Sequence, residues 1–169
     1  MKKSYLRVAL AIWVSCFLPF SIAEAQSTKQ KLKVVREGVG FDGIVVGRSS
    51  DKDVIKRFGK PVELKKHRKY SYQMIYPNGV SFYYCQSDKR KQIFDIELRE
   101  PFAAKTFRGI TLGKSTLEEI YRIYGKKAKD EGLQYRGVSF YYKKRSGKNI
   151  VTVIDIVENN GIRQCDEKS

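Results

Sequence analysis

Two stretches of the chain share one pattern of apolar and polar positions. Leu117, Ile120, Tyr121 and Tyr124 recur at the i, i+3, i+4, i+7 spacing of one buried helical face. Val54, Ile55 and Phe58 do the same over a shorter reach. Ser50 and Thr116 precede these runs as N-caps, since a hydroxyl accepts from the free amides of a first turn. Asp53 and Glu119 stand three residues later, where a carboxylate completes a capping box. Gly59 and Gly125 follow, at the place where a left-handed residue stops a helix, and Pro61 closes the first. After each helix the period changes to two. Tyr70, Tyr72, Met74 and Tyr76 alternate with Ser71, Gln73 and Ile75. Beyond a Pro77-Asn78-Gly79 turn, Val80, Phe82 and Tyr84 alternate with Ser81, Tyr83 and Cys85. Then Phe94, Ile96 and Leu98 point one way and Asp95 and Glu97 the other. The same succession predicts shorter strands over 133–135, 138–142 and 150–157.

These segments correspond in detail. GIVVGRSSDKDVIKRFGK (43–60) matches GITLGKSTLEEIYRIYGK (109–126) at an offset of 66 residues. Gly-Val-Ser-Phe-Tyr-Tyr occurs at 79–84 and at 137–142, an offset of 58. A third block sets Phe94-Asp95-Ile96 against Ile154-Asp155-Ile156 and makes Asp95 and Asp155 equivalent. Three blocks in one order signal an internal repeat. The expected fold is α+β: two tandem repeats, each a short helix packed on a three-stranded antiparallel meander. Repeat 1 covers 43–100 and repeat 2 covers 109–158, joined by a linker over 101–108. One helix covers one sheet face; the other face is left to water or a partner.

The first 25 residues read as a signal peptide. Lys2, Lys3 and Arg7 precede an apolar run from Val8 to Phe20, and Ala23-Glu24-Ala25 supplies the small-x-small cleavage pattern. The run falls short of the roughly 20 residues that span a bilayer. Cys16 lies within it without the Leu a lipoprotein signal wants. A periplasmic or extracellular protein is expected, with no transmembrane segment after cleavage. Cleavage removes three positive charges and one negative, taking the net charge from +16 to +14. A basic segment (26–42) then opens the mature chain, and 159–169 forms a C-terminal tail. So basic a chain attracts anionic partners, such as lipopolysaccharide, lipid heads or cell-wall polymer; export argues against nucleic acid.

Export also decides the cysteines. Cys85 and Cys165 alone remain, and two cysteines in an oxidising compartment most simply form one disulfide. No spacing of His, Cys, Asp and Glu suggests a metal site, no glycine run cradles phosphate, and no cofactor is expected. His67, the single histidine, sits among Lys65, Lys66, Arg68 and Lys69; four cations argue against a catalytic triad and for a solvated loop. Asp53, Glu118 and Glu119 read as helix-start residues, Asp95 and Asp155 as outward-facing strand residues, and no catalytic residue is expected.

The aromatics are the better lead. If Val80, Phe82 and Tyr84 face the helix, then Tyr83 and Tyr141 emerge on the open face, with Tyr72 as a third partner-binding candidate. Tyrosine suits interfaces, being large, rigid and tolerant of water on one edge. Lys89-Arg90-Lys91 and Lys143-Lys144-Arg145 occupy matching turns and are candidate anion-binding residues.

The segment Gly-Ile-Thr-Leu-Gly-Lys-Ser-Thr-x-x-Glu-Ile-x-x-x-Tyr-Gly followed by a hairpin resembles the small outer-membrane-assembly lipoproteins of the BamE/SmpA type. In tandem it is similar to the β-lactamase inhibitor proteins. That resemblance implies helices on antiparallel sheets and a non-enzymatic role through protein contacts. The chain departs from it in having no lipobox, so membrane anchoring does not carry over. The expected function is an exported protein-binding or adaptor module of the cell envelope; the alternative is a basic protein held to anionic surfaces.

Overall fold

The computed structural model describes residues 31–127, 132–159 and 165. The expected signal peptide, and all of the tail past Asn159 but Cys165, lie outside the described residues. The chain runs β1 (Lys33–Val35), β2 (Gly40–Phe41), β3 (Ile44–Val45), α1 (Asp51–Phe58), β4 (Glu63–His67), β5 (Ser71–Ile75), β6 (Val80–Cys85), β7 (Ile93–Arg99) and β8 (Ala104–Thr106). It continues with α2 (Leu117–Tyr124), β9 (Gly132–Tyr135), β10 (Val138–Arg145) and β11 (Lys148–Val157). Both helices begin at capping boxes, Ser50 with Asp53 and Thr116 with Glu119. Neither is long and apolar enough to cross a membrane.

The expected α+β fold of two helix-on-meander repeats is incorrect. The described residues are mostly β, with 47% strand and 13% helix, and their centre is one antiparallel sheet in the order β4-β5-β6-β7-β11-β10-β9. The joint is β7 on β11, from Val153↔Arg99 to Val157↔Asp95. Pairing these two strands removes two open edges that separate meanders would expose. It also merges two apolar faces, each too small to exclude much water alone, into one core. Val54 of α1 and Ile120 of α2 reach that core, with Phe82, Phe140, Ile96 and Ile154 from the sheet. Both helices therefore serve the same face. β1 runs parallel to β8, so part of the 101–108 segment is strand.

Two further corrections concern register. Pairing slips by one residue between Tyr83 and Tyr84, where Tyr83 faces Asp95 but Tyr84 faces Ile93. This bulge turns Phe94 away from the helices, beside Asp95, into a small cluster with Tyr83 and Cys85. A matching slip lies between Tyr141 and Tyr142. Across β7 and β11, Ile96 faces Ile156 and Leu98 faces Ile154, with Glu97 opposite Asp155 between them. Val80 pairs with Leu98 just as Val138 pairs with Ile156, so the offset stays at 58 through these strands. The counterpart of Asp155 is thus Glu97, and the expected equivalence of Asp95 with Asp155 is two residues out.

Candidate functional site

Side-chain alternation fixes what stands on the face opposite the helices. Ser81, Glu97, Asp155 and Ser139 are successive register partners across β6, β7, β11 and β10, and form one polar row. On one side of that row Tyr83 faces Asp95. On the other, Val153 stands between Arg99 and Tyr141. Apart from Ser81 and Ser139, these groups border a cleft of about 940 Å³ together with His67 and Arg68.

The floor of the cleft is acidic in a basic protein. Glu97 is held by Arg99, whose Nε donates to Oε1 at 2.7 Å and whose Nη2 donates to Oε2 at 2.8 Å. Asp95 and Asp155 have no such cation. Asp155 is 6% exposed. Its Oδ1, the Oδ1 of Asp95 and the Oγ of Ser139 are buried without a hydrogen-bond partner. Desolvation disfavours the charged form of such groups. Burial pushes the Asp95 carboxyl up to about 7, with the charge of Glu97 adding to the rise and Arg68 opposing it. Burial likewise holds Asp155 well above the usual carboxylate range, helped by Asp95 and Glu97 and opposed by Arg99. Near neutral pH the floor carries exchangeable protons and can donate or accept.

The walls are aromatic. Tyr83 is only 5% exposed, sealed beneath the edge of His67, whose ring centroid lies 4.9 Å away. Burial and three nearby carboxylates drive its phenol far upward. Tyr141 keeps 36% of its surface, and burial with Asp155 and Asp95 raises its phenol too. Burial first, then Arg68, depresses His67.

The sequence-predicted residues distribute unevenly. Tyr83 and Tyr141 share the open face, but Tyr83 is buried where an emergent ring was expected, because Phe94 and the Cys85 side chain pack around it. Tyr72 belongs to the helix side, stacked on Tyr84 at 5.6 Å. His67 ends an edge strand and meets the cleft, rather than sitting in a solvated loop. Asp95 and Asp155 point into the cleft and form no ion pair among the described residues. Cys85 and Cys165 are joined by a disulfide, with Cα atoms 5.4 Å apart, which fixes residue 165 at the cleft margin.

The two basic clusters do not form one patch. β7 and β11 are antiparallel, so the turn holding Lys89, Arg90 and Lys91 and the end of β10 holding Lys143, Lys144 and Arg145 lie at opposite ends of the sheet. The latter three are strand residues, not turn residues. Lys91 pairs with Asp51 at 3.4 Å and Arg145 with Glu100 at 2.6 Å. Only Lys143 among the six borders the cleft.

No family model matches the chain, and no curated protein does. Among solved structures it is similar to the crystal structure of a DUF4309 family protein (YjgB) from Bacillus subtilis. That similarity has 15% identity and a TM-score of 0.44, and covers 72% of this chain and 88% of the other. The resemblance to outer-membrane-assembly lipoproteins and β-lactamase inhibitors therefore rests on the duplicated segments alone.

Proposed function

We propose that the protein is an exported, non-enzymatic binding module of the cell envelope, periplasmic or extracellular, that takes its partner at the open face of the sheet. One observation carries this reading: a cleft of about 940 Å³ walled by the exposed Tyr141 and floored by Asp95 and Asp155, each with one carboxyl oxygen buried without a hydrogen-bond partner. Leaving such polar atoms unpaired costs about 1–3 kcal/mol each, which an entering group recovers. The basic clusters weigh against the anionic-surface alternative, because they are separated and two of their cations are engaged.

The test compares what the protein and its Tyr141→Ala variant retain from an extract of the source envelope, read by mass spectrometry. A species held by the first and lost by the second supports the cleft. Equal retention moves the binding surface elsewhere.

A second reading is hydrolysis, favoured by two buried carboxyls on one floor, Asp95 and Asp155, both raised above the usual carboxylate range. One carboxyl would protonate a leaving group while the other activates water. Turnover of chromogenic glycosides or esters that disappears in Asp95→Asn would replace binding with catalysis.

A further inference from the structure

We propose that the cleft recognises a zwitterion: a primary ammonium seated between Asp95 and Asp155, with an attached anionic group resting on the basic margin. This rests on the cleft being the binding site, and names the chemistry that enters it.

The floor sets the first half. Three carboxylates converge there, and one arginine contacts one of them. Asp155 is 6% exposed and still has an orphan Oδ1, as does Asp95 two residues along the adjoining strand. An ammonium offers three donors with no fixed fork, so it can meet carboxyl oxygens that two different strands supply. A neutral hydroxyl offers one donor and no charge. Among the described residues no cluster suits a metal ion.

The margin sets the second half. Arg68, Lys69 and Lys143 rim the cleft and are exposed. They form no ion pair among those found in the described residues. The whole chain carries +16, which repels a simple cation at a distance. A ligand bearing both signs avoids that repulsion and satisfies floor and rim together.

Proton balance follows. The amine enters as R–NH3+ and stays protonated; each aspartic acid it meets gives its proton to solvent. Affinity therefore rises with pH through the range where Asp95 ionises, about 7. Glu97 is neutralised by Arg99 on the same strand. Tyr83 and Tyr141, facing from β6 and β10, stay neutral in this range because both phenols are raised. His67, facing from β4, is depressed by burial and by Arg68, which favours its neutral form. Arg68, just beyond β4, presents a guanidinium to the same floor.

The test is isothermal titration at pH 6, 7 and 8 in buffers of different ionisation enthalpy. The probes are O-phosphorylethanolamine and β-alanine, against ethanolamine and glycerol phosphate. The expected result is that at least one zwitterion binds tenfold or more tightly than either half-probe, with net proton release at pH 7. Asp155→Asn, checked for fold by circular dichroism, lowers that affinity at least tenfold and cuts the release; Asp95→Asn does the same. Vesicles containing phosphatidylethanolamine tell a lipid head from a free solute, and capture by either form is supporting. The proposal is overturned if glycerol phosphate binds as well as the zwitterions, if binding releases no proton, if the variants bind normally, or if neither zwitterion binds. If the zwitterions fail while the envelope species still depends on Tyr141, this inference falls and the binding module stands.

Discussion

Replacing Asp95 by Asn removes a carboxyl that the fold holds in the wrong protonation state for neutral pH. The ordinary value is 3.8 and the folded value about 7, raised first by burial and then by Glu97. A raised carboxyl means that the native state binds the proton more tightly than the unfolded chain. Its contribution is therefore fully present below about pH 4 and is lost as pH climbs toward 7. At about 1.4 kcal/mol per pKa unit, this rise gives an upper bound of about 4 kcal/mol. Asp95 retains partial access to the cleft, and solvent screening roughly halves that bound, to about 2 kcal/mol. Urea unfolding followed by far-ultraviolet circular dichroism at pH 4, 5, 6, 7 and 8, without ligand, measures it. The stability of wild type minus that of Asp95→Asn falls by about 2 kcal/mol across this range. The variant is the more stable at pH 8. Asp155 remains in the variant and continues to fall with pH, so the variant flattens without becoming level. A pH-independent difference, or a variant weaker than wild type at pH 8, would falsify the burial argument for Asp95.

Three other outcomes follow from the packing. Replacing Cys85 and Cys165 by Ser opens a loop spanning 80 residues and destabilises by up to about 4.5 kcal/mol in the chain-entropy model; a midpoint in urea that matches the oxidised protein would contradict it. Phe140→Ala, at a fully buried site packed on Tyr124 and Tyr135, costs about 3–5 kcal/mol, read by the same unfolding curves. Tyr124→Phe deletes a hydroxyl that donates to Glu37 and meets the buried Thr106 Oγ1 at 3.1 Å, for a loss of about 1–2 kcal/mol in thermal or urea unfolding; no loss would mean water replaces it.

What was legible in the sequence was local. A cap needs a hydroxyl and a carboxylate three residues apart, so Ser50 with Asp53 and Thr116 with Glu119 declare both helix starts without tertiary help. Alternation likewise placed Val80, Phe82 and Tyr84 on the core side. Three things were hidden, and each depends on strand pairing that a single segment does not display. β4 escaped because Glu63, Leu64, Lys65, Lys66 and His67 form an exposed edge with little alternation. The bulge at Phe94 escaped because nothing in 93–95 marks it; only the mismatch with Tyr83 and Tyr84 across the ladder does. The joining of the meanders escaped because an apolar strand reads the same whether its edge is free or paired.

The last of these governs the site. Phe-Asp-Ile at 94–96 and Ile-Asp-Ile at 154–156 invite an alignment on their shared letters, which sets Asp95 against Asp155. Hydrogen-bond register instead sets Glu97 against Asp155, at the centre of the β7–β11 joint. Around that pair the two faces behave differently. On the core side the related positions keep their character: Val80 with Val138, Phe82 with Phe140, Ile96 with Ile154, Leu98 with Ile156. On the open side, at the same offset, Asp95 corresponds to Val153 and Arg99 to Val157. Packing constrains the first set, since a change of charge there would bury an unpaired ion. The second set carries charge in one half only. A symmetric frame with a one-sided floor yields a single polarised cleft instead of two equal ones. The carboxyls without a cation of their own therefore gather at Asp95 and Asp155, next to the one arginine that β7 supplies.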